Sequence, residues 1–198
     1  ALGRLARAVV DRLPRLTIAG ITGSSGKTTT KDLLAQVVER LGPTVAPAGS
    51  FNNELGHPLT VLRADEQTRY LILELGARGR GHIATLCAIA PPRLGAVLNV
   101  GRAHVGGYFA DRAEVAQAKG ELVEALPAGG VAVLNADDRE VMNMASRTAA
   151  RPVTFGRAGH ADVRAADVTV DADGRPSFTL ITPAGAAPVR LNLRGEHN

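Results

Sequence analysis

The 198-residue sequence has no tryptophan and one cysteine, and of its 23 Lys and Arg residues only Lys27, Lys31 and Lys119 are lysines. The lone Cys87 excludes an internal disulfide framework and any zinc site built on cysteines. It points instead to a reducing, cytoplasmic setting. Aromatic residues are only 3% of the chain, too few to stack nucleic-acid bases. The arginines are scattered rather than clustered, so the net charge of +4 does not argue for a nucleic-acid partner. No apolar run approaches the roughly 20 residues that span a bilayer. The longest, over 70–75 and 94–100, are strand-sized. Residues 1–12 are studded with arginine and lack the apolar core of a signal peptide. Because arginine supplies almost every positive charge, each lysine invites its own explanation.

What is present is a regular alternation. Residues 1–12 read as a helix with Leu2, Leu5, Val9 and Leu13 on one side. An apolar run at 16–21 leads into a glycine-rich turn at 22–26. Helical spacing of Leu33, Leu34, Val37, Val38 and Leu41 covers 28–41 until Gly42-Pro43 stops it. A short strand follows at 44–47, a polar turn at 52–56 and a short helix at 58–63. Strands are expected at 70–75, 94–100, 131–134 and 153–155, with helices at 81–90, 112–126 and 138–149 between them. This order predicts an α/β fold, a mostly parallel sheet flanked by helices on both faces. Segments 163–170 and 177–182 alternate around Asp173-Gly174, a hairpin signal, and 189–193 offers a third strand. A small antiparallel β portion is therefore expected near the C-terminal end. The last residues, Gly195-Glu196-His197-Asn198, add no closing element, as in a fragment of a larger protein.

Thr22-Gly23-Ser24-Ser25-Gly26-Lys27-Thr28-Thr29 follows a predicted strand and opens a predicted helix. Glycines there let backbone N–H groups turn towards phosphate oxygens, and the helix N-terminus adds its positive dipole end. In such a phosphate loop Lys27 reaches the β/γ-phosphates and Thr28 offers its hydroxyl to Mg²⁺. The spacing is not the common one, because Ile21 stands where the first glycine should be. Glu74 ends a buried strand, where open α/β sheets place ligand-binding groups, and a carboxylate there can hold Mg²⁺ beside the loop. It reads equally as a strand-end glutamate facing solvent, although Leu71-Ile72-Leu73 makes that less comfortable. On local pattern alone Lys119 is a solvated helix lysine, His104 a solvated loop histidine, and Asn52 and Asn53 turn formers. Asn135 and Asp137-Asp138 follow a strand end, where either aspartate suits a helix cap. His57, His82 and His160 read as structural or surface residues. Lys31, one turn beyond Lys27, stays open between touching phosphate and lying at the surface.

The T-G-x-x-G-K-T-T variant resembles that of the Mur ligase superfamily, which also contains folylpolyglutamate synthetase and cyanophycin synthetase. Further stretches share the resemblance: Asn52-Asn53-Glu54-Leu55-Gly56-His57-Pro58-Leu59-Thr60, Glu74-Leu75-Gly76-Ala77, Asn99-Val100-Gly101-Arg102-Ala103-His104, Ala118-Lys119-Gly120-Glu121, and the terminal Gly195-Glu196-His197-Asn198. The likeness covers nearly the whole chain and corresponds to the superfamily's central ATPase domain. It implies that 1–13 is a linker helix from an absent N-terminal domain, that 14–198 is the ATP-binding domain, and that a C-terminal domain is missing.

The resemblance also implies site residues. ATP is held by Gly23, Ser24, Ser25, Gly26, Lys27, Thr28, Thr29, Asn135 and Asn198. Two Mg²⁺ ions are held by Thr28, Glu74, His104 and Lys119, the lysine carrying a carbamate. Asn52 and Asn53 line the γ-phosphate and the substrate carboxylate. Lys27, Lys119 and His104 are the catalytic set. A carbamate needs an amine that loses its proton, which arginine cannot do, so lysine at 119 has a chemical reason. The branch most resembled adds D-alanyl-D-alanine to UDP-N-acetylmuramoyl-tripeptide through an acyl phosphate, in cytoplasmic peptidoglycan precursor synthesis. A monomer is expected, without nucleic acid or membrane insertion. The alternatives are another amide ligase of the superfamily, either the one adding the third peptide residue or one like folylpolyglutamate synthetase, and a non-ligase phosphate-loop ATPase.

Overall fold

The computed structural model describes residues 1–101 and 106–194. In chain order the elements are α1 (Leu2–Asp11), β1 (Thr17–Thr22), α2 (Lys27–Val38), β2 (Thr44–Val45), α3 (Gly56–Val61), β3 (Tyr70–Glu74), α4 (His82–Ile89) and β4 (Leu94–Val97). They continue with α5 (Arg112–Glu124), β5 (Val131–Asn135), α6 (Arg139–Met142), a 3₁₀ turn (Asn143–Arg147), β6 (Arg151–Gly156), β7 (Val163–Val170), β8 (Pro176–Thr182) and β9 (Gly185–Arg190).

The strands form one sheet in the order β2-β3-β1-β4-β5-β6-β7-β8-β9. Pairing is parallel from β2 through β7 and antiparallel from β7 to β9. The expected antiparallel portion is therefore an extension of the same sheet, joined where Phe155 and Gly156 pair with Val163 and Arg164. Parallel strands buried on both faces need apolar residues on both. In β3, Leu71 and Leu73 pack with Ala6, Ile18 and Val61 from one face, while Ile72 packs with Ile21, Leu34 and Val38 from the other. Helix α2 thus covers one face and α1 and α3 the other. The largest core cluster joins α4 and α5 to β4 and β5 through Leu86, Leu122, Val97 and Leu134.

Because β1, β3, β4 and β5 run parallel, their C-terminal ends share one edge. Register places Ile21 beside Glu74 and Thr22 beside Val97. The chain runs from β1 to β2 and β3 on one side, then crosses to β4 on the other. That is a topological switch point, where α/β sheets bind ligands.

Three expectations change in detail. The helix over 138–149 is a four-residue α6 followed by the 3₁₀ turn. Ser146 there donates to the Asn143 carbonyl at 3.2 Å, the local competition by which such residues disfavour helix interiors. The strand over 94–100 stops at Val97, because Asn99 and Val100 turn to bond the glycine-rich loop and Asp138. The strand placed at 189–193 lies earlier, as β9, with Pro188 on the sheet edge where a missing N–H costs nothing.

Candidate nucleotide and carboxylate site

The loop between β1 and α2 turns on Gly26, whose φ of 78° lies in the left-handed region that favours glycine. Its shape is held by Asn99, whose Oδ1 accepts the N–H groups of Ser24 (2.9 Å) and Ser25 (3.0 Å) while its Nδ2 donates to the Ser25 carbonyl (3.2 Å). Asn99 is a site residue that the sequence did not single out. Its one signal was its place at the head of the Asn99–His104 stretch that shares the family resemblance. The amides of Lys27, Thr28 and Thr29 open α2, where helical N–H groups lack intrahelical acceptors and suit an anion. The Lys27 ammonium donates to the Gly23 carbonyl at 2.9 Å. Burial lowers its pKa, and the nearby Glu74 charge opposes that shift.

Glu74 is 1% exposed, so the solvent-facing reading of this residue is excluded. Its Oε2 accepts from Thr28 Oγ1 at 2.9 Å and its Oε1 from Asn52 Nδ2 at 2.7 Å. Both donors are neutral, and among the described residues no ammonium or guanidinium forms an ion pair with it. The Lys27 ammonium is its nearby cation but makes no direct ion pair with it, so the carboxylate oxygens themselves meet only neutral donors. The donor set, a carboxylate beside a hydroxyl at a phosphate loop, fits a hard divalent cation such as Mg²⁺. Among the described residues no group of three or more His, Cys, Asp or Glu side chains gathers for a metal.

Lys119, on α5, is 6% exposed, not the solvated helix lysine that local pattern suggested. Burial pushes its ammonium down to about 7, and the charge of Lys27 adds to the shift. Lys27 and Lys119 line one cavity of about 280 Å³ together with Gly23, Asn52, Asn53 and Arg78. Asn53 also accepts the N–H of Leu55 and Gly56, starting α3. Arg78 lies over the Tyr108 ring of the same cavity, 6.0 Å from its centre.

A second cavity of about 450 Å³ lies across the loop, lined by Ser25, Gly26, Thr30, Asn135, Phe155 and Phe178 among others. Asn135 donates to the Leu98 carbonyl at 2.8 Å and accepts from Asp137 N at 2.9 Å. Asp138 is the helix cap, accepting from Glu140 N, and it also accepts from Val100 N. Asp137 holds Arg157 N and Ala158 N instead. The structure therefore brings together Lys27, Thr28, Asn52, Asn53, Glu74 and Lys119, and sets Asn135 by the second cavity. His104 and Asn198 lie outside the described residues.

The surface reading of Lys31 is wrong. Its side chain is 1% exposed and donates to backbone carbonyls of the following loop. Of the histidines, His57 is fully buried, and among the described residues neither ring nitrogen has a partner of good geometry, the Leu86 backbone being its nearest polar neighbour. Burial pulls its pKa down to about 4, opposed only weakly by the nearby Leu86 backbone. His82 sits 3.4 Å from Glu54 at the rim of the first cavity, and His160 is exposed.

Comparison with known proteins places this geometry. Residues 21–198 match the Mur ligase middle domain. The UDP-N-acetylmuramoyl-tripeptide–D-alanyl-D-alanine ligase of Mycobacterium tuberculosis H37Rv is 56% identical over all of this chain, which spans 39% of that protein. The Escherichia coli K12 ligase of the same name is 39% identical, again over the whole chain and 44% of the relative. The fold matches a crystal structure of MurF from Acinetobacter baumannii with a TM-score of 0.93 at 33% identity, over all of this chain and 43% of that one. It matches MurF from Thermotoga maritima in complex with ADP with a TM-score of 0.85 at 31% identity, over 96% of this chain and 43% of that one. The chain thus spans well under half the length of the relatives it matches.

Proposed function

The chain belongs to the Mur ligase family, and from that premise we propose that it is the ATP-binding middle domain of a ligase that joins D-alanyl-D-alanine to UDP-N-acetylmuramoyl-tripeptide. Residues 1–13 serve as the link to an N-terminal domain and 14–198 as the nucleotide domain of a monomeric, cytoplasmic enzyme of peptidoglycan precursor synthesis. The observation that carries this reading is Lys119, a buried lysine with a lowered pKa facing the phosphate-loop lysine across one cavity. A simple nucleotide switch has no use for such a group.

In the reaction, a terminal carboxylate oxygen of the tripeptide attacks the γ-phosphorus of ATP. The bond from that phosphorus to the β–γ bridging oxygen breaks, and ADP leaves. The amine of D-alanyl-D-alanine then attacks the acyl phosphate carbonyl and loses a proton. The carbon–oxygen bond to phosphate breaks, leaving the peptide product and phosphate. Phosphoryl transfer of this kind is mainly positioning and charge neutralisation. The helix-start amides and Lys27 orient the phosphates, and the second cavity with Asn135 receives the nucleoside. Asn52 and Asn53 face the substrate carboxylate.

Thr28 and Glu74 would hold one Mg²⁺, and by the family resemblance His104 and a carbamate on Lys119 would hold a second; such ions would supply further charge neutralisation. Burial and the Lys27 charge lower the Lys119 ammonium to about 7, which raises the share of neutral amine far above that of an ordinary lysine. The neutral amine is able to form a nitrogen–carbon bond to CO₂ with loss of a proton. A carbamate ¹³C signal in labelled bicarbonate, absent from Lys119→Ala, is the expected outcome. Its absence from the native chain overturns that assignment.

The function is tested by grafting residues 1–198 in place of the matching stretch of the Mycobacterium tuberculosis relative. The chimera is expected to turn over ATP only when both substrates are supplied, and residues 1–198 alone are expected to show little or no ligation, since domain closure completes such sites. ATP turnover by the chimera that is indifferent to both substrates overturns the ligase reading.

A further inference from the structure

The chemistry proposed above uses Lys27 and Lys119 and leaves the third lysine without work. Lys31 sits one helical turn after Lys27 on α2 and is among the most deeply buried side chains of the chain. Its ammonium donates to the Pro47 carbonyl at 2.8 Å and the Gly49 carbonyl at 3.2 Å, and lies 2.6 Å from Asp32 Oδ1. Two of the ammonium's three donors are thus spent on loop carbonyls, and Asp32 adds an ion pair. Arginine cannot replace it conservatively, because its planar fork directs donors differently.

The segment between β2 and α3 contains no helix or strand, so side-chain anchors supplement its few backbone hydrogen bonds. Pro47 has no N–H with which to anchor itself. Arg63 Nη1 holds the Ala46 carbonyl at 2.9 Å, and Lys31 holds the next two anchored carbonyls. Three residues after Gly49 the segment delivers Asn52. The Asn52 carbonyl accepts from Gly76 N at 2.9 Å, and its Nδ2 donates to Glu74 at 2.7 Å. One helix therefore presents the phosphate-facing Lys27 and also clamps the loop that delivers Asn52 to the buried carboxylate.

We propose that Lys31 is a positioning residue: it fixes the 46–52 loop so that Asn52 orients Glu74 for the cation that accompanies the nucleotide. This rests on the reading of Glu74 as a Mg²⁺ ligand given above. Lys31 acts through Asn52, so its loss impairs the magnesium-dependent part of nucleotide binding and spares the part made by the phosphate loop.

The test is calorimetric titration of ADP into the native chain, Lys31→Met, Asn52→Ala and the double variant, with and without Mg²⁺. Lys31→Met is expected to lose about ten-fold in affinity with Mg²⁺, the loss of one well-placed hydrogen bond, with little change in its absence. The double variant is expected to bind no more weakly than Asn52→Ala, as coupled residues do. Multiplying effects in the double variant, equal losses with and without Mg²⁺, or no loss at all overturn the proposal. A native chain whose ADP affinity ignores Mg²⁺ overturns the Glu74 reading, and this inference with it. Should Lys31→Met fail to fold, Lys31→Leu, which also lacks a donor, is put through the same titrations with the same outcomes.

Discussion

The parallel strands β1 to β6 and the antiparallel strands β7 to β9 share one hydrogen-bonded sheet but not one interior. In β3 the last four residues are buried, and in β1 the last three. In β8 only Pro176 is buried, and β9 is exposed at five of its six positions. The three hydrophobic clusters draw on no residue beyond Phe155. The cause lies in the connections: α1 to α6 all precede β6, and among the described residues no helix follows to cover the extension. A continuous ladder of hydrogen bonds thus does not make a continuous core. The groups that need a dry, fixed setting, Glu74 and Lys119, lie in the covered part. The extension contributes one wall of the second cavity through Phe178 and Leu180.

The sharpest way to break this contrast is at the loop. Lys27→Ala is expected to slow substrate-dependent ATP turnover of the chimera by about 100- to 1,000-fold, the range for removing one preorganised charge-stabilising donor. Phe178→Ala is expected to weaken nucleotide binding with a far smaller effect on turnover. Comparable losses of turnover from the two substitutions contradict the division of labour. Next in size is packing. Leu122, fully buried between α5 and β1, is expected to cost about 2–5 kcal/mol when cut to alanine. Val189→Ala in β9 is expected to shift urea unfolding by less than about 0.5 kcal/mol.

A third prediction concerns the covered part alone. His57 is buried, and among the described residues its ring meets at most the Leu86 backbone, so His57→Leu is expected to leave the fold as stable or to stabilise it by up to about 1–3 kcal/mol at neutral pH. Because its folded pKa is near 4 and the ordinary value is 6.5, the unfolded chain binds more protons between those values. Stability therefore falls as pH drops through that window, and His57→Leu should flatten the slope in pH-dependent melting curves. The smallest effect belongs to the exposed Arg190–Asp171 pair of the extension. Arg190→Ala is expected to change stability by roughly 0–1 kcal/mol and less in high salt.

How much of this the sequence carried depends on how local each feature is. The phosphate loop is one contiguous motif between a strand and a helix, so Lys27 and Thr28 were legible directly. Glu74 was open on pattern alone between a site carboxylate and a solvent-facing strand end, and its burial decided between them. Helix α2 was harder. Its apolar spacing suggested Val37 and Leu41 as core residues, yet these are 63% and 66% exposed. The buried face includes Lys31 and Ala35. That burial depends on a loop sixteen and eighteen residues further along the chain, which no helical period can reveal. Asn99 stood in a family-like stretch without a role for the same reason, since its partners Ser24 and Ser25 are about 75 residues away. Lys119 gained its meaning from resemblance first and from burial second.

The central claim is that the buried Glu74 carboxylate and Thr28 complete a metal–nucleotide site in the covered half of the sheet. It is tested most directly by measuring ADP affinity of the native chain and of Glu74→Gln across a Mg²⁺ titration. The account predicts that Mg²⁺ tightens binding to the native chain by about ten-fold or more, the scale of a charge-assisted contact, and leaves Glu74→Gln unresponsive. Equal magnesium dependence in the two proteins, or none in either, contradicts it.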